Sequence, residues 1–174
     1  RRALQAELGS AIPLVINGCC GNVGPNNLLD PNHRANQDRM GELLAESTRL
    51  ALSKLAPLAG APLRCLSRTL QLPLRPLDPA QLELDHKLLK EHPTPKMRTD
   101  VPGAVEWDWI YSYGRMDLAD LQAQCMLYPY EIQVLRIGDL SIVGLMGEPF
   151  VEAQLEIKRR LPTMHGFVAH FCNG

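Results

Sequence analysis

The sequence predicts an α/β fold, a mixed sheet with helices packed on it, forming part of one domain. Three observations lead there. Short apolar runs at 11–17, 63–74, 131–137, 140–146 and 166–171 are β-branched or alternate like strands. Segments with helical signals lie between most of them. The last two strand-like runs are separated by a helix, which makes them parallel with a common C-terminal edge.

Each element follows from its residues. AIPLVIN (11–17) is rich in β-branched side chains and reads as a buried strand. A glycine- and asparagine-rich loop, 18–27, comes next. Over 36–56, Met40, Leu43, Leu44, Ser47, Leu50, Ala51 and Leu55 make a stripe of period near 3.6, with Asn36 or Asp38 as N-cap and Pro57 as stop. Leu66, Arg68, Leu70 and Leu72 alternate as in a strand. Asp78 caps and Pro79 opens a helix running to about His92. Residues 93–106 read as an exposed loop. The segment 107–124 reads as a helix interrupted near Gly114. Gly138-Asp139 joins 131–137 to 140–146 as a tight hairpin. Glu148-Pro149 opens a helix ending in Lys158, Arg159 and Arg160, cations suited to a helix C-terminus.

Composition removes several functions. A net charge of −1 with no basic block excludes a nucleic-acid footprint. No run approaches the roughly 18 apolar residues of a membrane span. Five cysteines without a CxxC pair support neither a disulfide framework nor a structural zinc site. Cys19 and Cys20 are too close in sequence to serve one metal together, and read as buried or half-buried free thiols. The chain opens on Arg1-Arg2 and stops at the turn-forming Asn173-Gly174, and both ends read as cuts in a longer chain.

The functional expectation concerns one edge. Run 140–146 ends at Gly147-Glu148, run 166–171 at Cys172-Asn173-Gly174, and run 11–17 at the glycine loop. In open α/β sheets, ligands bind at the carboxyl ends of the strands. If run 11–17 points the same way, all three loops converge. Glu148 is the acid at such a junction, and its other reading is a carboxylate favouring a helix N-terminus. The loop lacks the GxGxxG and Walker-type patterns, which weakens a nucleotide site, although bare N–H groups at a helix start could hold an anion. His165 and His170 are not at HExxH spacing and would face opposite sides of a strand. His33 lies in a loop; His86 and His92 lie on a polar helix face or its end. All five histidines read as structural.

VINGCCGNVGPN, then EIQVLRIGDLSIVGLMGEPFVE, then FVAHFCNG resemble, in order and phasing, the neutral/alkaline (non-lysosomal) ceramidase family. The likeness spans nearly the whole chain; residues 60–128 contribute little beyond length. The resemblance implies that residues 1–174 are the C-terminal part of a larger catalytic domain, truncated at both ends. It also implies a zinc amidohydrolase that cleaves N-acylsphingosines to sphingosine and fatty acid. Zinc would be held by two histidines, a glutamate and a tyrosine. Glu148 matches the glutamate; the histidines would precede Arg1 and the tyrosine would follow Gly174. The implied substrate is a small-molecule or lipid amide, met at a membrane surface by a secreted or periplasmic enzyme. Oligomeric state is not legible. Gly21, Asn22, Gly24 and Asn26 form the implied substrate loop. The family pattern there is Gly-Asp-Val-Ser-Pro-Asn, so Asn22 replaces an aspartate and Gly24 a serine. Chemistry that needs that hydroxyl is lost, whereas zinc-assisted hydrolysis is not. The alternatives are a non-catalytic ceramidase-like binding or structural homologue, and an anion-binding α/β module using loop 18–27. With one expected ligand of four, the segment alone should be inactive, and it should be poorly soluble because it exposes surface that the missing part normally covers.

Overall fold

Gly138, at φ +57°, takes the first central position of a two-residue turn that most side chains would resist. It folds β2 (Leu127–Ile137) back antiparallel onto β3 (Leu140–Leu145), in a register running from Ile132↔Leu145 to Ile137↔Leu140. This is the hairpin expected from Gly138-Asp139. The computed structural model describes residues 8, 12, 14–27, 29–30, 32–56, 62–162 and 165–172. Its other elements are α1 (Gln37–Leu52), β1 (Leu63–Pro73), α2 (Pro79–Glu91), α3 (Trp107–Gln124), α4 (Val151–Arg160) and β4 (His165–Ala169). The four strands form one mixed sheet in the order β1-β2-β3-β4, and the fold is α/β. No described helix is long and apolar enough to cross a membrane.

The chain divides into two units, residues 1–69 with 131–174, and residues 70–130. In the first, β3 is the interior strand, paired antiparallel with β2 and parallel with β4. Val134, Val143 and Val168 stand side by side across the three strands. Val143, Leu145 and Val168 are buried there, as Cys19 and Ala45 are elsewhere in the unit. Alternation along β3 also buries Ser141. The helix between the parallel strands, α4, packs on β4.

The second unit is a helix pair. Asp78 caps α2, its side chain accepting from the Ala80 N–H, with Pro79 in the first turn as expected. Asp85, 1% exposed, accepts from Arg115 Nε and Nη2 at 2.6 and 2.7 Å, Ser112 Oγ at 2.8 Å and Gln81 Nε2 at 3.0 Å. The Trp109 indole N–H donates to the His92 carbonyl at 2.8 Å, fastening α3 to the end of α2.

Four expectations are corrected. Of run 11–17, the described residues 12 and 14–17 form no strand, and Leu14 is 84% exposed. β-branched residues favour extended backbone, but a strand needs a neighbour's ladder. Among the described residues, this stretch takes part in one backbone hydrogen bond beyond the helices and strands, from the His170 N–H to the Asn17 carbonyl. Helix α3 is not interrupted at Gly114; a glycine costs about 1 kcal/mol in a helix interior, less than the anchors at Trp109 and Arg115 offset together. Helix α4 starts at Val151, leaving Glu148 and Pro149 in the preceding loop. The α1 stripe is left uncovered: Met40, Leu43, Leu44 and Leu50 are exposed, and Ala45 alone is buried in this helix. The last strand ends at Ala169 rather than 171. Pro57, Arg1, Arg2, Asn173 and Gly174 lie outside the described residues.

Candidate metal centre

Three chain segments meet at the C-terminal edge of the parallel pair. Beyond β4 the backbone stays beside the end of β3, with the Phe171 N–H donating to the Gly147 carbonyl at 3.1 Å and the Cys172 N–H to the Leu145 carbonyl at 2.9 Å. Both crossings use left-handed backbone, Gly147 at φ +63° and Phe171 at φ +55°. Phe171 is the sole non-glycine with positive φ among the described residues, a conformation that side chains with Cβ resist. It directly follows His170, as Gly147 directly precedes Glu148.

The glycine-rich loop is the third segment. The Cys19 N–H donates to Gln154 Oε1 at 3.0 Å and the Gly21 N–H to the Pro149 carbonyl at 3.1 Å. Asn22 caps α4 from across the chain: Oδ1 accepts from the Val151 N–H at 2.9 Å, and Nδ2 donates to Glu152 Oε1 and Oε2 at 3.1 and 2.9 Å. Phe150, at the helix's own N-cap position, makes no side-chain cap bond. The loop therefore supplies the cap that α4 lacks. An aspartate at position 22 would set a carboxylate oxygen against those of Glu152, so the asparagine suits its neighbour. Replacing Asn22 with alanine should cost about 0.5–2 kcal/mol, the usual worth of an N-cap, read as a lower denaturation midpoint. An unchanged midpoint would remove the cap assignment.

This docking brings Cys20, Glu148 and His170 together. One ligand atom from each lies within 4.8 Å of the other two, and Cys20 Sγ is 3.8 Å from His170 Nε2. The spacing suits three donors to one cation. Glu148 is exposed at the edge, and its carboxylate has no hydrogen bond or ion pair among the described residues. The second ring nitrogen of His170, Nδ1, is enclosed and has no hydrogen-bond partner among the described residues. The adjacent Cys19 is 3% exposed, and burial pushes its thiol pKa up, so it stays protonated and inert. Cys20 is the cysteine turned to the edge.

The four loop positions read from the sequence have different surroundings. Gly21 lies against the backbone of Glu148: a Cβ there would stand 2.3 Å from the Glu148 carbonyl oxygen. The Asn22 amide is occupied in capping α4. Gly24 has nothing within 4 Å of where a Cβ would sit, and Asn26 is exposed. Glu148 was expected as a metal ligand; Cys20 and His170 were not. The readable signal was their place, each in a loop at the same strand edge. Of the other histidines, His33 accepts through Nδ1 from the Asn27 N–H within its own loop. His165 opens β4 at the opposite end from His170, and His86 and His92 belong to the helix-pair unit. Comparison with known proteins gave no match to a family model, a curated protein or a solved structure.

Proposed function

We propose that this chain belongs to a zinc-dependent hydrolase of linear amide bonds, with Glu148 as a metal ligand and an N-acyl lipid amide of the ceramide type as substrate. The observation that carries the reading is the position of Glu148, a carboxylate with no partner among the described residues, in the loop after β3 at the edge where three segments converge. Ligands of α/β sheets bind at such edges. A bound zinc would supply Lewis acidity toward the amide carbonyl and an activated water. In the overall reaction water adds to the carbonyl carbon, the C–N bond breaks, and the products are a fatty carboxylate and a free amine. Glu148 would hold the cation against the sheet, and the loop from Gly21 to Asn26 would line the approach. Gly24 offers no hydroxyl, so the proposed chemistry uses none from it.

The test is zinc content of the full-length protein, wild type beside Glu148→Ala, measured by elemental analysis after dialysis. Amine release from N-acyl lipid amides is assayed on the same preparations. Near-stoichiometric zinc in the wild type, lost in the variant together with amine release, is the expected result. Zinc unchanged in the variant, or hydrolysis surviving exhaustive chelation, would sink the proposal. The absent side chain at Gly24 favours a second reading, a non-catalytic homologue. That reading predicts zinc bound without amine release from any lipid amide.

A further inference from the structure

We infer that Cys20, Glu148 and His170 form a three-donor cation site of mixed sulfur, oxygen and nitrogen character, selective for zinc-type ions. The inference rests on Glu148 as a metal ligand and adds two residues that the ceramidase-like ligand set does not include. Around a tetrahedral zinc, bond lengths of about 2.0 Å to nitrogen or oxygen and about 2.3 Å to sulfur set separations of about 3.3 Å between nitrogen and oxygen donors and about 3.5 Å from either to sulfur. The Cys20 Sγ to His170 Nε2 distance is 3.8 Å, a little longer than that, and all three separations lie within 4.8 Å. A small rotation of the exposed Glu148 side chain closes the set.

The state of His170 separates this reading from two others. A histidine built into a core has its ring nitrogens satisfied, because leaving a buried polar atom unpaired forfeits its hydration with no return. Here one nitrogen faces a thiol and the other is enclosed, with no partner among the described residues. A thiol–imidazole–carboxylate relay would need Glu148 on that second nitrogen to orient the ring, and nothing holds it. The three donors instead gather around one space, as ligands of a cation do. Calcium and magnesium take oxygen donors, whereas thiolate and imidazole favour zinc-type ions. Three protein donors also leave a fourth position for an exchangeable ligand, the pattern of catalytic rather than structural zinc.

The scaffold supports the same conclusion. Each donor is fixed by a backbone feature that side-chain packing alone would not demand: Gly21 pressed on Glu148, Gly147 left-handed before Glu148, and Phe171 left-handed after His170. Residues 150 positions apart are thereby held in contact.

The experiment uses metal-stripped full-length protein titrated with cobalt(II) as a spectroscopic substitute for zinc. A near-ultraviolet sulfur-to-cobalt charge-transfer band is expected in the wild type. Cys20→Ser should lose the band, and His170→Asn should bind cobalt at least tenfold more weakly. In wild-type protein, zinc should also protect Cys20 from alkylation, located by peptide mapping, a readout independent of how the variants fold. A cobalt complex without the sulfur band, or a band that survives Cys20→Ser, overturns the inference. So does unchanged affinity in His170→Asn, or alkylation of Cys20 indifferent to zinc. If Glu148→Ala alone loses metal, the hydrolase proposal stands and this site falls. If all three substitutions weaken binding but no amide is cleaved, the site stands and the hydrolase proposal falls.

Discussion

Replacing Asp85 with alanine is expected to destabilise the helix-pair unit by about 3–5 kcal/mol, the usual cost of removing one partner from a buried ion pair. The carboxylate is 1% exposed and saturated with donors: a bidentate guanidinium from Arg115, a hydroxyl from Ser112 and an amide from Gln81. Without it, Arg115 keeps its charge but loses its bidentate partner, and Asp108, which makes no ion pair with it, is the opposite charge that remains. Replacing Asp85 and Arg115 together with apolar residues of similar volume should recover much of the loss, since the pair's attraction largely offsets its desolvation. Chemical denaturation of the two single variants and the double variant measures this directly. Additive losses would show that the pair is not coupled.

The same carboxylate sets an acid limit. The Arg115 guanidinium beside it, helped by Gln81 and Ser112, lowers the Asp85 pKa from 3.8 to about 2 against the opposing effect of burial. A folded pKa below the unfolded one means the native state releases the proton more readily. Its contribution, of order 2 kcal/mol, is therefore complete above about pH 4 and lost as pH falls through about 2. Wild type should lose stability across that window, and Asp85→Ala should show a correspondingly flatter acid limb. Parallel limbs would mean that Asp85 does not carry the dependence.

How much of this was readable beforehand depends on whether the information is local. The β2–β3 hairpin was legible because Gly138-Asp139 dictates a turn, and the parallel direction of β3 and β4 because a helix lies between them; that the two are paired was not. Glu148 was legible as the acid at a strand end. Run 11–17 misled because its composition speaks for extended backbone but carries no statement about a neighbour, and the chain passes the end of β4 rather than lying alongside it. Cys20 and His170 were missed for a related reason. Cys20 was set aside with Cys19 because adjacent cysteines cannot both serve one metal, which says nothing about one of them serving alone. His170 was judged against its own strand, whereas its partner lies across the edge. The convergence of three loops was the right premise, and the donors within each loop were its unused consequence. The apolar stripe of α1 is a different case: the periodicity correctly gave a helix, and periodicity cannot say what covers a face.

Placing a methyl group on Gly21 tests whether the loop and the donor cluster are one mechanical unit. In Gly21→Ala the new Cβ would meet the Glu148 carbonyl oxygen at 2.3 Å and the Phe150 ring at 3.0 Å. The first contact is with backbone, which cannot swing aside as a long side chain does, so the loop must withdraw. Withdrawal breaks the Gly21 N–H bond to Pro149, lifts the Asn22 cap from α4, and carries Cys20 away from Glu148 and His170. Overpacking of this kind costs about 1–3 kcal/mol, and loss of the cap adds about 1 kcal/mol. At the proposed site, zinc affinity should fall at least tenfold, because Cys20 would leave with the loop. Gly24→Ser is the control: nothing lies within 4 Å of that position, so its stability should stay within about 0.5 kcal/mol of wild type. It also restores the hydroxyl of the ceramidase-like pattern, and any gain in amide cleavage would locate the reaction beside this loop. Denaturation midpoints and zinc content for both variants separate the outcomes. A Gly21→Ala protein that is destabilised yet retains its zinc would mean that the loop caps α4 without holding the metal site. One that is unchanged in both would mean that the close approach of Gly21 to Glu148 is not a constraint on the fold.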